Sequence, residues 1–355
     1  MYFHKSVSLL LIFCCFYSCK QKQIDTKEVK ESAEIQAQGI HFQLLDSIAA
    51  SSSILKDDRD HFFEHISPLD MCLQMRKAWD PKVPRNQILK EYQSQLQAEV
   101  SDFTAREKRD MLQLLDSLNL LLQPVKKEWL VDKINLIKLK ATSYGPGVFY
   151  TREEGIYIPT DMLVQDDLTE LSSVMLHEIF HIMSRYNEDF RQDCYALIGF
   201  EKVEGDLELP QILKDRLLLN PDGIDMGYSI QLSEENKQEE VKAVPIIYSN
   251  NENFLEGRSA FFGYIQFDLF RLDQSSGGNV VVIQEPLGPE VPDAFYPSFF
   301  SQIKDNTQYI IHPDEIMADN FMFAIFGKES LEQFTFSERG NQLINDFQKI
   351  LFVEI

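Results

Sequence analysis

Residues 175–187, MLHEIFHIMSRYN, set two histidines four positions apart with a glutamate directly after the first, in a chain that holds seven histidines. On a helix, residues four apart lie on one face, so His177 and His181 can both offer a ring nitrogen to one metal ion. Glu178 then projects beside them. In a His-Glu-x-x-His helix that glutamate does not ligate; it takes a proton from water that zinc has acidified to a pKa of roughly 7. The competing reading is a buried helix whose histidines are satisfied core residues. The chain's own His and Glu frequencies produce such a pentapeptide by chance on the order of once in a hundred chains, so a third ligand has to decide.

Catalytic zinc takes three protein ligands plus water. A third histidine close behind, after a glycine, is ruled out: position 187 is Asn and no glycine follows until Gly199. The other arrangement is a glutamate on a second helix, four residues before an aspartate that holds a ligating histidine by its other ring nitrogen. Glu315-Ile-Met-Ala-Asp319 has this form. Carboxylates near a helix N-terminus are favourable in any case, but Asp319 lies past the first turn, inside a strongly apolar helix. Glu201 and Glu204 are rival ligands nearer in sequence, though neither has an aspartate four residues on. His312, three residues before Glu315, is another rival, or a donor at the edge of the site.

HEIFH combined with EIMAD resembles the gluzincins, the thermolysin-like branch of zinc metallopeptidases. The resemblance implies that His177, His181 and Glu315 bind Zn2+, that Glu178 is the general base, and that Asp319 orients a ligating histidine. It further implies a peptide or protein substrate, bound in extended form along an edge strand, for which the segment GVFYTREEGIYIP (147–159) is the candidate. A Tyr or His that stabilises the developing oxyanion is also implied, with Tyr228, Tyr248 and Tyr264 as candidates. The matching part is two short helical motifs and a hairpin. The 133 residues between His181 and Glu315 are far more than thermolysin has there. A non-catalytic metal-binding or ligand-binding surface lipoprotein is the alternative; a purely structural zinc site, closed by four protein ligands, would gain nothing from Glu178.

The elements that must position these residues read as an α+β chain with a zincin-like catalytic domain over 124–355. Residues 36–123 have helical periodicity, with Thr104-Ala-Arg-Glu107 as a capping box, and predict a helical N-terminal subdomain. After Pro124, INLIKLKAT and GVFYTREEGIYIP read as strands and a hairpin. A helix is expected over Asp161–Tyr186, capped near Asp167 and apolar around most of its circumference. Residues 200–311 form an insertion with strands at AVPIIY, SAFFGYIQFDLFRL and NVVVIQ. HPDEIMADNFMFAIFG then predicts a helix with Pro313 at its first position and Gly327 as its stop, and a last helix runs through NQLINDFQKIL. The segment SRYNEDFRQDCYALIGF is read as helix packing rather than as lining of a cleft.

The chain opens with a short basic start at Lys5 and an apolar run, Val7–Tyr17, whose eleven residues suit a secretory leader and are too few to span a bilayer. Residues 1–18 are therefore expected as a signal peptide. Ser18-Cys19 resembles a bacterial lipobox, which implies lipidation at Cys19, attachment of an exported protein to the membrane, and residues 19–35 as a flexible tether. Lys+Arg 34 against Asp+Glu 56 gives a formal charge of -22, so nucleic acid is an improbable partner. Outside the leader only Cys72 and Cys194 remain; they could pair or stay as buried thiols. No Cys-x-x-Cys exists, which excludes sulfur-ligated zinc.

Overall fold

Lys133–Leu139, KINLIKL, is buried at every position but the first, as a strand covered on both faces must be. In the computed structural model it is the centre of a five-stranded sheet. The structure describes residues 39–140, 142–164, 169–234, 237, 239–258, 261–330 and 335–353. The leader, Cys19, the tether and the expected cap at Asp167 lie outside the described residues.

The first sheet contains β1 (His41–Leu44), β2 (Val100–Ser101), β3 (Lys133–Leu139), β4 (Tyr150–Arg152) and β5 (Gly155–Pro159). Its order is β1-β3-β5-β4, with β2 also on β3. The strands β1 and β5 run parallel to β3, while β4 forms an antiparallel hairpin with β5. The second sheet has six strands in the order β6-β8-β9-β10-β11-β7. These are β6 (Phe200–Lys202), β7 (Leu207–Glu208), β8 (Tyr228–Ser233), β9 (Glu240–Ser249), β10 (Ile265–Asp273) and β11 (Asn279–Val282). The helices are α1 (Ser47–Ser53), α2 (Phe62–His65), α3 (Pro68–Gln74), α4 (Arg85–Glu99), α5 (Ala105–Leu121), α6 (Thr169–Tyr186), α7 (Glu188–Ala196), α8 (Gln211–Arg216), α9 (Tyr296–Ile303), α10 (Pro313–Ser330) and α11 (Glu338–Leu351). The fold is mixed α and β.

Several local signals act where the sequence puts them. Thr104 and Glu107 close both bonds of the capping box at the start of α5, and Glu107 also receives the buried Lys138 ammonium of β3 at 2.8 Å. The cap thus ties α5 to the sheet. Gly327 has φ 71 and interrupts α10 where a stop was expected. Residues 160–164 form a 3-10 turn, and the helix that carries the two histidines, α6, is described from Thr169.

Residues 36–123 do not form a separate helical subdomain. Gln38–Ile355 is one compact unit, and β1 and β2 are strands of the same sheet as β3. Ile40, Phe103, Leu114 and Leu118 share one hydrophobic core with Ile134, Ile179, Ile230, Ile316 and Phe347. Strands of four and two residues are too short to show a period of two, and their pairing with β3 is set by contacts far away in sequence. Residues 200–311 likewise join this core, through Phe200, Tyr228, Ile230 and Leu269. Among the described residues no helix is long and apolar enough to cross a membrane, and Cys72 and Cys194 are both buried free thiols.

Candidate metal centre

Met175, Leu176, Ile179, Phe180, Ile182 and Met183 of α6 are all 0% exposed. At roughly 1.5–3 kcal/mol for each large apolar side chain fully buried, this packing alone fixes the helix and its rotation. Phe180 meets Phe321 of α10 with ring centroids 5.7 Å apart, and Phe347 of α11 at 6.1 Å. Against that apolar seam, α6 presents His177, Glu178 and His181, and the first two turns of α10 present Asp314, Glu315 and Asp319.

The histidines are held from behind and point forward. His177 Nδ1 is 2.8 Å from Asp319 Oδ1, and His181 Nδ1 is 2.7 Å from Asp314 Oδ2. In front, His177 Nε2 lies 3.0 Å from Glu315 Oε2. His181 Nε2 lies 3.5 Å from the same oxygen and makes no hydrogen bond. The donor atoms of His177, His181 and Glu315 all fall within 4.8 Å of one another. Glu178, 4% exposed, has Oε2 buried without a partner. Buried polar atoms are nearly always satisfied. These two orphans stand on one helix beside a carboxylate and a second imidazole, in groups of donor atoms that could hold a cation. Two imidazoles and one carboxylate are a donor set that suits Zn2+.

Electrostatics points the same way. Burial penalises a charged His177, yet Asp319 and Glu315 outweigh it and hold the imidazole up at about 10. Burial would raise Glu315, but His181 and His177 pull it well below the usual carboxylate range. Burial first, then the Asp222 carboxylate, pushes Glu178 up to about 8. Five carboxyl groups surround two imidazoles here, and such a pocket favours a positive charge at its centre. A bound dication would release the imidazolium protons and draw Glu178 back down.

Asp314, in the first turn of α10, supports His181 and was not singled out from the sequence. It is 2% exposed and accepts from Ser184 Oγ at 2.5 Å and Tyr195 OH at 2.6 Å in addition to His181. Ser184 and Tyr195 belong to the segment expected to serve packing alone, and they in fact brace a histidine of the centre. Asp319 is less enclosed, with its other oxygen taking the Thr307 hydroxyl.

The loop 219–225 covers the centre. Asn220 Nδ2 donates to Glu315 Oε1 at 2.5 Å, and Asp222 Oδ1 accepts from Thr151 N at 2.5 Å and Thr151 Oγ1 at 2.8 Å. Gly223 lets this loop close: a Cβ there would stand 2.4 Å from His312 Nδ1. The edge position expected for β4 is real, but Thr151 and Arg152 are buried and the outward N–H of Thr151 is already bonded. A peptide cannot add there while the loop stays in place.

His312 is not a third ligand. Its Nδ1 accepts the N–H of Asp314 at 3.1 Å, and its Nε2 donates to Asp225 O at 3.1 Å, so both nitrogens are used in capping α10 and fastening the loop. Burial lowers its pKa and keeps it neutral. Glu201 and Glu204 are exposed on and beside β6, apart from the centre. Of the tyrosines expected as oxyanion donors, Tyr228 accepts from Arg191, Tyr248 donates to Asp268 and Tyr264 serves Leu255. Tyr309, which sequence reading missed, stacks on His177 with centroids 6.1 Å apart and planes 19° from parallel. Burial and then the carboxylates of Glu315, Asp222, Glu178 and Asp319 raise its pKa well above 10, so it remains a hydroxyl donor. Its only signal in the sequence is nearness to Glu315.

Comparison with models of protein families, with curated proteins and with solved structures gives no match for this chain.

Proposed function

We propose that this chain is a zinc-dependent hydrolase of gluzincin type, most simply a metallopeptidase with a zincin-like catalytic region, exported and attached to the membrane at Cys19. The observation that carries the reading is the pair of orphaned buried atoms, His181 Nε2 and Glu178 Oε2, set beside His177 Nε2 and Glu315 Oε2 while both Nδ1 atoms are held by carboxylates. His177, His181 and Glu315 would hold Zn2+, which when bound supplies Lewis acidity and lowers the pKa of water to roughly 7.

The chain's own groups do the rest. Glu178 is buried next to the ligands with Oε2 unpartnered, which suits a base that takes a proton from water and returns it to a leaving amine. Tyr309, stacked on His177 and keeping its proton, is the candidate hydroxyl donor to a developing oxyanion, a contribution of roughly 3 kcal/mol in comparable sites. Asp314 and Asp319 fix the imidazole tautomers so that both Nε2 atoms face the metal.

Glu178→Gln tests this. The variant should keep one zinc per chain while peptide hydrolysis falls by a factor of about 10³. A variant as active as wild type would remove Glu178 from the chemistry. A non-catalytic metal-binding protein is the second reading, favoured by the second donor group around His181, made with Glu178 and Asp222; zinc bound stoichiometrically with no hydrolysis of a broad peptide library would select it.

A further inference from the structure

We propose that Asn220 is a positioning residue of the metal centre: by holding Glu315 Oε1 it leaves Oε2 as the single donor of that carboxylate, so that a position on the zinc stays open for water or substrate. The inference rests on the zinc reading above.

The two oxygens of Glu315 have different surroundings. Oε2 lies 3.0 Å from His177 Nε2 and 3.5 Å from His181 Nε2. Two donors of one tetrahedral zinc, each roughly 2.0–2.1 Å from it, stand about 3.3 Å apart, so Oε2 is the oxygen placed to join the imidazoles. Oε1 instead takes the Asn220 amide at 2.5 Å, and among the described residues no other hydrogen bond falls on it. Glu315 is 1% exposed and Asn220 8%. Bulk water therefore has little access to Oε1, and a buried carboxylate oxygen needs a partner. The amide and the metal compete for that role. Carboxylates bind cations through one oxygen or through both. With both oxygens of Glu315 on the metal, the two imidazoles would complete a set of four protein donor atoms, as in a closed structural site; with Oε2 alone there are three and an open position, as in a catalytic one.

The amide is fixed in the orientation this requires. Asp222 N donates to Asn220 Oδ1 at 3.2 Å, which assigns the NH2 end of the side chain to Glu315. The chain on either side of Asn220 is fastened as well. Leu219 N donates to Oδ2 of the buried Asp70 at 2.9 Å, and Arg185 Nη2 donates to Pro221 O at 3.1 Å and Asp222 O at 3.2 Å. A donor held this firmly on a separate loop keeps Oε1 turned away from the imidazoles however the Glu315 side chain would otherwise rotate.

The test uses the full chain loaded with Zn2+ or with Co2+. Asn220→Leu has nearly the shape of Asn and no donor. It should keep its zinc, while the shell of light atoms counted by X-ray absorption rises from about four to about five. The visible absorption of the Co2+ form should weaken, as it does when tetrahedral cobalt gains a ligand. Acetohydroxamate, a probe that needs open positions on the metal, should bind about tenfold more weakly. Shell, spectrum and hydroxamate affinity all equal to wild type, with His181→Ala losing the metal, overturn the proposal and leave the zinc site standing. Zinc lost from Asn220→Leu while wild type holds it also overturns the proposal, because the amide is then needed for ligation rather than for limiting it. Zinc absent from wild type overturns the site and the proposal together. Should Asn220→Leu lack a folded circular dichroism spectrum, Asn220→Asp carries the same test, since it keeps an oxygen for Asp222 N and lacks the NH2: the same fall in Co2+ absorption supports the proposal, and an unchanged spectrum overturns it.

Discussion

Asp70 and Glu178 are both deeply buried carboxyl groups pushed far above their usual range, one to about 7 and the other to about 8, with burial the largest cause in each. They differ in what their oxygens touch. At Asp70 on α3, Oδ1 accepts from Gln74 Nε2 and Oδ2 from Leu219 N, each at 2.9 Å. Among the described residues no imidazole bonds it, and the group serves to pin a loop to a helix. At Glu178 one oxygen has no partner, an orphaned imidazole nitrogen belongs to the same cluster, and a second carboxylate faces both. A perturbed titration marks burial; buried donors left over, aimed at one point, mark a site.

The comparison can be broken from the metal side first. His181→Ala should abolish stoichiometric zinc, read by metal analysis after chelator-free purification, whereas Asp70→Asn should leave zinc at the wild-type level. Equal zinc in wild type and His181→Ala would erase the distinction between the two regions. The next effect belongs to Asp70. Its folded pKa lies above the ordinary 3.8, so the folded state binds the proton more tightly. The associated stability is fully present below pH 4 and is lost as pH rises toward 7. Over that window the loss is up to about 4 kcal/mol, and urea unfolding across it should show a fall in wild type that Asp70→Asn lacks.

Smaller effects sharpen the picture within the centre. Asp314→Asn and Asp319→Asn should each weaken zinc binding by about 10–100-fold in chelator competition. Asp314 should be the worse loss, because it is nearly fully buried and accepts from Ser184 and Tyr195 as well as His181, while a quarter of the Asp319 side chain is exposed. The smallest effect is expected at the surface. Asp346→Ala breaks the exposed pair with Lys349 and should change unfolding free energy by less than about 0.5 kcal/mol.

Much of the machinery was legible because it is local. Spacing of four puts His177 and His181 on one helical face whatever the rest of the chain does, and the same holds for Glu315 and Asp319. The capping box at Thr104 and the break at Gly327 are decided within a few residues. Asp314 drew no notice because an acid in a first turn has a sufficient local reason to be there, and only the approach of α6 reveals its hydrogen bond to His181. Tyr309 carried no spacing signal at all. The edge strand was placed correctly by its hairpin pattern, but nothing in GVFYTREEGIYIP announces that Asp222, seventy-one residues beyond Thr151, will sit on it.

The sequence by itself therefore determined two short helical faces, their donor chemistry, and the strands and turns around them, since each depends on backbone periodicity and on neighbours a few residues away. Tertiary structure alone decided that the two faces meet, which acids stand behind the imidazoles, and that Asn220 and Asp222 come down in front of them. Those contacts join positions 71 to 142 residues apart, and which of many such pairings forms is settled by burial of the shared core rather than by any pattern that a local window contains.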